Sequence, residues 1–424
     1  MSDDPKISLR LVEANVVPER SHVSPIEAAA RSFPSGGPIM KDFEAFVPDL
    51  ARMTHGSRVL VIGGAGTIGS ASLRALLSGR AKAISVVDTN ENGLAELTRD
   101  IRNREWAAPL PELEFVPLDY GSPIMERYLD DRDFDFVLNF AALKHVRSEK
   151  NAWSSLQLLH VNVLSLMALI RALDRGGLGP SRIFSVSTDK AADPANLMGA
   201  SKRIMEAVLL ERSLGAPDAT RTSVRFANVA FSAGSLLESW TLRMLRQQPL
   251  ACPADTRRFF ISSDESGMLC TLAAFGLRDQ TVGVPSSEAG VRELGLEAVV
   301  RSFLAEQGLE ALVVESEQEA RRIAAAPPRG RYPLLLTPRD TIGEKQAEQF
   351  VGANETQAPS PMRSLDTVVP SPIDMKCLER LERELLDMER GEVTASKEAV
   401  VASISAVVES LQHIDSRRGL DERM

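Results

Sequence analysis

Apolar residues along this chain follow two rhythms. Short aliphatic runs occur at Arg58–Ile62 (RVLVI), Ala83–Asp88 (AISVVD), Phe115–Leu118, Phe136–Phe140, Ile183–Val186 and Ser223–Phe226. Their length and composition are those of buried strands. Between them, apolar positions fall three or four apart: Leu73, Leu76 and Leu77, then Leu94, Leu97 and Ile101, then the long run Leu156–Leu173. That spacing puts the side chains on one face of a helix. Alternating strand and helix predict an α/β fold, a doubly wound parallel sheet.

The flanks read differently. Residues 1–55 carry scattered proline and charge with little periodicity before Phe43–Met53, which predicts an N-terminal extension with one short helix. Residues 56–270 hold the alternating pattern and most of the candidate chemistry. In 271–350, helices at Leu294–Gln307 and through Ala324 and strands at Ala311–Val314 and Arg331–Thr337 predict a smaller C-terminal substrate-binding α/β region. Residues 351–424 begin with a Pro-, Ser- and Thr-rich stretch, 352–372, that reads as a linker or surface loop. The stripes Leu378, Leu381, Leu385, Met388 and Ala399–Leu411 follow, as core or subunit contacts.

Composition narrows the function classes. The chain has 424 residues, 44% apolar and 25% charged, ordinary for a soluble globular protein. A net charge of −9 supplies no basic excess for nucleic acid. The most apolar long run, Leu156–Leu173, contains His160, Asn162 and Arg171 and reads as a core helix, so no membrane partner is expected. Cys252, Cys270 and Cys377 match no metal or redox spacing, and with no signal peptide a cytoplasmic location is expected.

The first strand runs directly into Gly63-Gly64-Ala65-Gly66-Thr67-Ile68-Gly69, and a helix follows. Gly63, Gly66 and Gly69 permit a tight turn, backbone approach to a pyrophosphate and close helix packing, while the helix N-terminus around Thr67 and Ile68 favours the anion. The second strand ends in Asp88, placed to bind a ribose. This combination predicts a Rossmann sheet holding a dinucleotide. A carboxylate at Asp88 repels a 2′-phosphate, which favours NAD, with NADP the alternative. Asp119 ends the third strand, where it can bond an adenine edge or cap the next turn. After the fourth strand, Ala141 and Ala142 allow close approach of a cofactor, and Lys144 is a candidate for substrate binding. His145 beside it has a structural or a catalytic role. Asn162, in an apolar helix, needs a partner such as neighbouring strand backbone.

The stretch Ser187–Arg203, STDKAADPANLMGASKR, places Thr188, Asp189 and Lys190 at a strand end. Lys202 lies one turn after Met198 on the helix that follows. An acid and a potential base together suit proton chemistry, where a surface ion pair is the plainer alternative. Arg225 and Asn228 close another strand, and Arg257-Arg258 offers guanidinium groups suited to a phosphate.

With GGAGTIG, NFAALKHVRSEK, STDKAADPANLMGASKR and VRFANVAFSAGSLLESW in view, the chain resembles extended short-chain dehydrogenase/reductases. It is most similar to the nucleotide-activated N-acetylglucosamine 4,6-dehydratases of surface polysaccharide biosynthesis, over roughly residues 56–350. RSEK, QQPLACPADTRRFFISSDESG, DTIGEK and LDERM point to the soluble legionaminate-pathway type. The resemblance implies a bound NAD(P), a nucleotide-sugar substrate and homo-oligomers formed through helices flanking the sheet. It implies Lys190 as base at C5, Asp189 as acid for the C6 hydroxyl, and Thr188 bonded to O4. Lys202 would orient the nicotinamide ribose, and Lys144, Asn228 and Arg258 would contact the nucleotide sugar. The wider superfamily carries Tyr where this chain has Met198, and a subset of the dehydratases is similar in having Met. An epimerase on the same fold, or an NAD-binding module without turnover, are the competing readings.

Overall fold

Aliphatic side chains packed on both faces make the central strands nearly continuous in their apolar character. In the computed structural model, which describes residues 37–144, 149, 151–174, 179–226, 228–338 and 348–413, they form one parallel sheet. Its strands are β1 (Arg58–Ile62), β2 (Ala83–Asp88), β3 (Glu112–Pro117), β4 (Phe136–Asn139), β5 (Arg182–Val186) and β6 (Thr220–Val224). They run in the order β3-β2-β1-β4-β5-β6. Helices α1 (Pro38–Met53), α2 (Thr67–Leu76), α3 (Glu91–Arg102) and α4 (Pro123–Asp130) precede α5 (Ala152–Leu159), α6 (Ser165–Leu173) and α7 (Leu197–Leu210). This is the predicted Rossmann arrangement, with strand order reversing between β1 and β4.

Past β6 the chain leaves the sheet twice. It first forms β7 (Asn228–Val229), α8 (Leu236–Leu245), β8 (Leu250–Pro253) and β9 (Arg257–Ile261). It returns through α9 (Ser263–Gly276) to β10 (Thr281–Pro285), which pairs parallel with β6. It leaves again through β11 (Arg292–Gly295), α10 (Leu296–Glu306), β12 (Glu310–Val314), α11 (Glu317–Ala324) and β13 (Arg331–Thr337). Two small sheets result, β11-β9-β7 and β12-β13-β8, around a core of Trp240, Phe303, Tyr332 and Leu334. They draw on residues both before and after 270, because β10 takes its place in the main sheet between two excursions.

The stretch 352–372 is a correction to the sequence reading. Instead of a linker or surface loop it contains β14 (Thr356–Pro359) and β15 (Leu365–Val369). β15 pairs antiparallel with β10 and β14 with β15, so the main sheet has nine strands. Leu365 and Val368 are buried, and proline survives at Pro359 because β14 is an edge strand.

The helical run expected from Leu156 begins at Ala152 and is not uniform. His160–Leu164 winds as a π-turn between α5 and α6. The span Ala152–Leu173 is long and apolar enough to cross a membrane, yet 67% of its most apolar window is buried in the protein. C-terminal helices α12 (Met375–Arg390) and α13 (Lys397–Ser405) complete that burial. Leu378, Leu381, Leu385, Val400 and Ile404 share a core with Leu156, Leu166 and Ile170. The C-terminal stripe is thus core within one chain, and Arg171 pairs with Glu382 at its margin.

One polar cluster ties these layers together. Arg225, just past β6, has a fully buried side chain. Its Nε and Nη2 donate to both oxygens of Glu206 on α7, at 2.7 and 2.6 Å. Nη1 and Nη2 donate to Glu355, next to β14, at 2.6 and 2.7 Å. Ser187 Oγ donates to Glu206 at 2.6 Å. Burial disfavours the charged guanidinium, but the carboxylates of Glu206 and Glu355 outweigh it and raise the pKa of Arg225. Removing the guanidinium strands two carboxylates. Arg225→Ala should lower unfolding free energy by about 3–5 kcal/mol. Arg257→Ala, which breaks a mostly exposed pair with Glu293, should cost less than about 1 kcal/mol. Urea denaturation of both variants tests the contrast.

Candidate active site

The C-terminal ends of β1, β4, β5 and β6 open on one groove of about 300 Å³. Gly63, Gly66, Thr67, Ile68 and Gly69 line it from the β1 side, and Ala142 and Lys144 from beyond β4. Thr188, Lys190, Met198, Lys202 and Asn228 complete the predicted residues found there. Open α/β sheets bind ligands at this reversal of strand order.

The glycine loop is shaped by contacts that a side chain would destroy. Gly63 has φ +75°, and a Cβ there would lie 2.4 Å from the Ala141 nitrogen. A Cβ on Gly69 would lie 2.1 Å from the Gly63 oxygen. Helix α2 begins after Gly66 with no side-chain cap, so its first-turn N–H groups remain suited to an anion. Asp88 stands beside this loop, Oδ2 accepting the Ala65 N–H and Oδ1 the Asn90 N–H, both at 2.9 Å. An uncapped helix start with a carboxylate at the end of β2 fits the pyrophosphate and ribose of a dinucleotide. Ala141 donates its N–H to Asn139 Oδ1 at 3.0 Å and forms the wall against Gly63. Asp119 is exposed and lies outside the groove lining. Its Oδ1 accepts the Gly121 N–H at 2.9 Å, the turn-capping alternative.

Thr188 caps a single 3₁₀ turn, Asp189–Ala191, just past β5. Its hydroxyl donates to Asp189 Oδ1 at 2.7 Å, and Lys190 Nζ donates to the same oxygen at 3.0 Å. Asp189 is only 1% exposed and sits behind the two groups that face the groove. Its Oδ2 is buried without a hydrogen-bond partner among the described residues. Burial alone would lower the pKa of Lys190, but Asp189 and Glu348 overcome it, so the ammonium form is favoured. Lys202 behaves oppositely. Burial brings its pKa down to about 8, while Nζ donates to the Val186 carbonyl at 2.9 Å. Met198 sits one turn before it, its backbone N–H held by Glu149 Oε1 at 3.0 Å.

On the substrate side, the π-turn has a local purpose. It carries Asn162, which accepts from the Leu143 N–H and donates to the Leu143 carbonyl, both at 2.9 Å, and so fixes the backbone beside Lys144. Asn228 Nδ2 donates to the Phe259 carbonyl at 3.3 Å. Arg258, on β9, is buried and does not line the groove. Its Nη1 donates to the Arg257 carbonyl at 2.8 Å, and its Nε lies 3.6 Å from Glu348. His145, most of RSEK, DTIGEK and LDERM lie outside the described residues. Reasoning from sequence missed Glu149, Glu348 and Glu355. Glu206 could have been found from its place one turn beyond Lys202. The others reach the site across long sequence separations.

Comparisons with known proteins agree with this fold. The chain is 29% identical over 232 residues to an uncharacterized membrane protein, MJ1061, of Methanocaldococcus jannaschii, covering 54% of this chain and 66% of that protein. It is 27% identical to an inverting UDP-N-acetylglucosamine 4,6-dehydratase of Campylobacter jejuni, over 53% of this chain and 64% of that enzyme. It is also 27% identical to a UDP-glucose 4-epimerase of Rickettsia bellii, over 51% and 62% respectively. The chain thus spans less than two thirds of the length of these relatives. Among solved structures, Pen from Bacillus thuringiensis superposes with a TM-score of 0.60 at 20% identity, covering 75% of this chain and 89% of that one. Residues 59–304 match the model of one family, and the chain belongs to it: the polysaccharide biosynthesis proteins.

Proposed function

We propose that the protein is an NAD-dependent nucleotide-sugar 4,6-dehydratase, turning UDP- or GDP-N-acetylglucosamine into its 4-keto-6-deoxy derivative for surface polysaccharide or nonulosonic acid synthesis. The observation that carries this reading is the Thr188, Asp189 and Lys190 cluster, whose outer members face the groove while sharing one carboxylate oxygen. Elimination of water needs a base at one carbon and a proton for the departing hydroxyl, and this cluster holds both.

Gly63, Gly66, Gly69 and Asp88 would hold the dinucleotide, and Lys202 would orient its nicotinamide ribose. Bound there, a nicotinamide would supply reversible hydride transfer, from C4 at the start and back to C6 after water has left, and a ketone at C4 would make the C5 proton acidic. Thr188 holds O4 by its hydroxyl. Lys190, once neutral, takes the proton from C5. Asp189 touches the sugar only through the groups it accepts from, so a proton reaching O6 passes by way of Thr188 Oγ1 or Lys190 Nζ. The proton lost from O4 balances the one regained at C5, and the proton lost from C5 leaves in water. Lys144 and Asn228, both on the groove wall, would hold the nucleotide sugar.

An epimerase on the same fold is the competing reading, since a UDP-glucose 4-epimerase is equally similar in sequence. Met198, buried against the groove where the superfamily has Tyr, favours elimination. A thioether cannot exchange the O4 proton that simple epimerisation requires.

Mass spectrometry separates the two. Incubated with UDP- and GDP-N-acetylglucosamine, the protein should release a product lighter by one water from one of them, with deuterium at C5 in heavy water. An isomer of unchanged mass would establish epimerisation instead. Lys190→Ala should lower kcat by about 10²–10⁴-fold while still binding the nucleotide sugar. Full activity in that variant would remove Lys190 as the base. Asp88→Ala should narrow the preference for NAD over NADP, and an unchanged ratio of dissociation constants in calorimetry would exclude its ribose role.

A further inference from the structure

Glu348 supplies a buried carboxylate that the reaction proposed above leaves without a role. Its side chain is 4% exposed, and its Oε1 lies 3.6 Å from Lys190 Nζ and 3.6 Å from Arg258 Nε. One oxygen thus serves two cations drawn from different parts of the fold, the turn past β5 and strand β9. Asp189 completes the group from the other side of Lys190. These two carboxylates balance these two cations, which offsets part of the cost of keeping them out of water. Lys202 lines the same groove from α7, but its ammonium is committed to the Val186 carbonyl.

We propose that Glu348 is a positioning residue that sets the ionisation of Lys190, shielding it from the Arg258 guanidinium and holding it protonated until substrate enters. That Lys190 acts as base rests on the dehydratase reading; the charge arrangement does not. Two neighbours act on Lys190 with opposite sign. Removing the Glu348 charge deletes an attraction while the Arg258 repulsion remains, so the neutral amine becomes easier to form. Removing the Arg258 charge deletes a repulsion, so the ammonium is held more firmly. A residue serving only to pack the loop before β14 would give no such opposition.

The test reads the amine directly. Acetylation by limiting acetic anhydride, at one mildly alkaline pH, proceeds in proportion to the neutral fraction of each lysine, and peptide mass spectrometry can compare Lys190 with exposed Lys41. Glu348→Gln should raise the relative rate at Lys190 about tenfold, corresponding to about one pKa unit. Glu348→Asp, which keeps the charge, should stay nearer the wild type, and Arg258→Gln should label more slowly than the wild type. Equal labelling in Glu348→Gln and wild type, or faster labelling in both Glu348→Gln and Arg258→Gln, overturns the proposal. In turnover, the acidic limb of the kcat/KM profile should move to lower pH in Glu348→Gln. A wild type that dehydrates neither donor would sink the dehydratase reading while leaving the labelling result intact.

Discussion

A guanidinium with no access to water, clasped by two carboxylates, is the constraint on which the site depends. Arg225 joins the end of β6 to Glu206 on α7 and to Glu355 beside β14. Glu206 also accepts from Ser187, one residue before the Thr188 turn. Four segments distant in sequence therefore meet at a single buried charge. Such a pair is weak evidence for net stability, because desolvation offsets much of the attraction. Its value lies in geometry, because the partners cannot move apart without leaving a bare charge behind. The turn bearing the proposed acid and base inherits that rigidity.

The Rossmann half was legible because its information is local. A strand such as RVLVI, a glycine turn and a helix stripe each lie within a few residues, and their periods differ enough to be separated. The groove residues from Gly63 to Lys202 followed from the same logic, since strand ends in a doubly wound sheet point to one edge. What escaped was non-local. β14 and β15 are short pieces of a turn-rich stretch, and they become strands because β15 pairs with the open side of β10 and β14 with β15. The carboxylates of Glu149, Glu348 and Glu355 stand in unremarkable polar stretches, and their importance arises from what the fold delivers to them, the Met198 N–H for Glu149 and cations for the other two.

Asp189 shows how a residue can be found in the sequence and still be placed differently from expectation. Its neighbours in STDK are polar, which suggests a group open to substrate. The 3₁₀ turn instead tucks the carboxylate beneath Thr188 and Lys190. A buried carboxylate with one oxygen doubly engaged and the other without a hydrogen bond is a costly arrangement.

The covering of α5 and α6 by the C-terminal helices has a bearing on how the chain comes to be folded. Leu156 and Leu385 belong to one core although more than two hundred positions separate them. Loop closure on that scale is slow, and during synthesis the N-terminal part emerges first. The apolar helices α5 and α6 therefore wait, with one flank bare, until α12 and α13 have left the ribosome. In that interval α5 and α6 offer an apolar surface to any neighbour, and α12 and α13 act as the chain's own chaperone by claiming it.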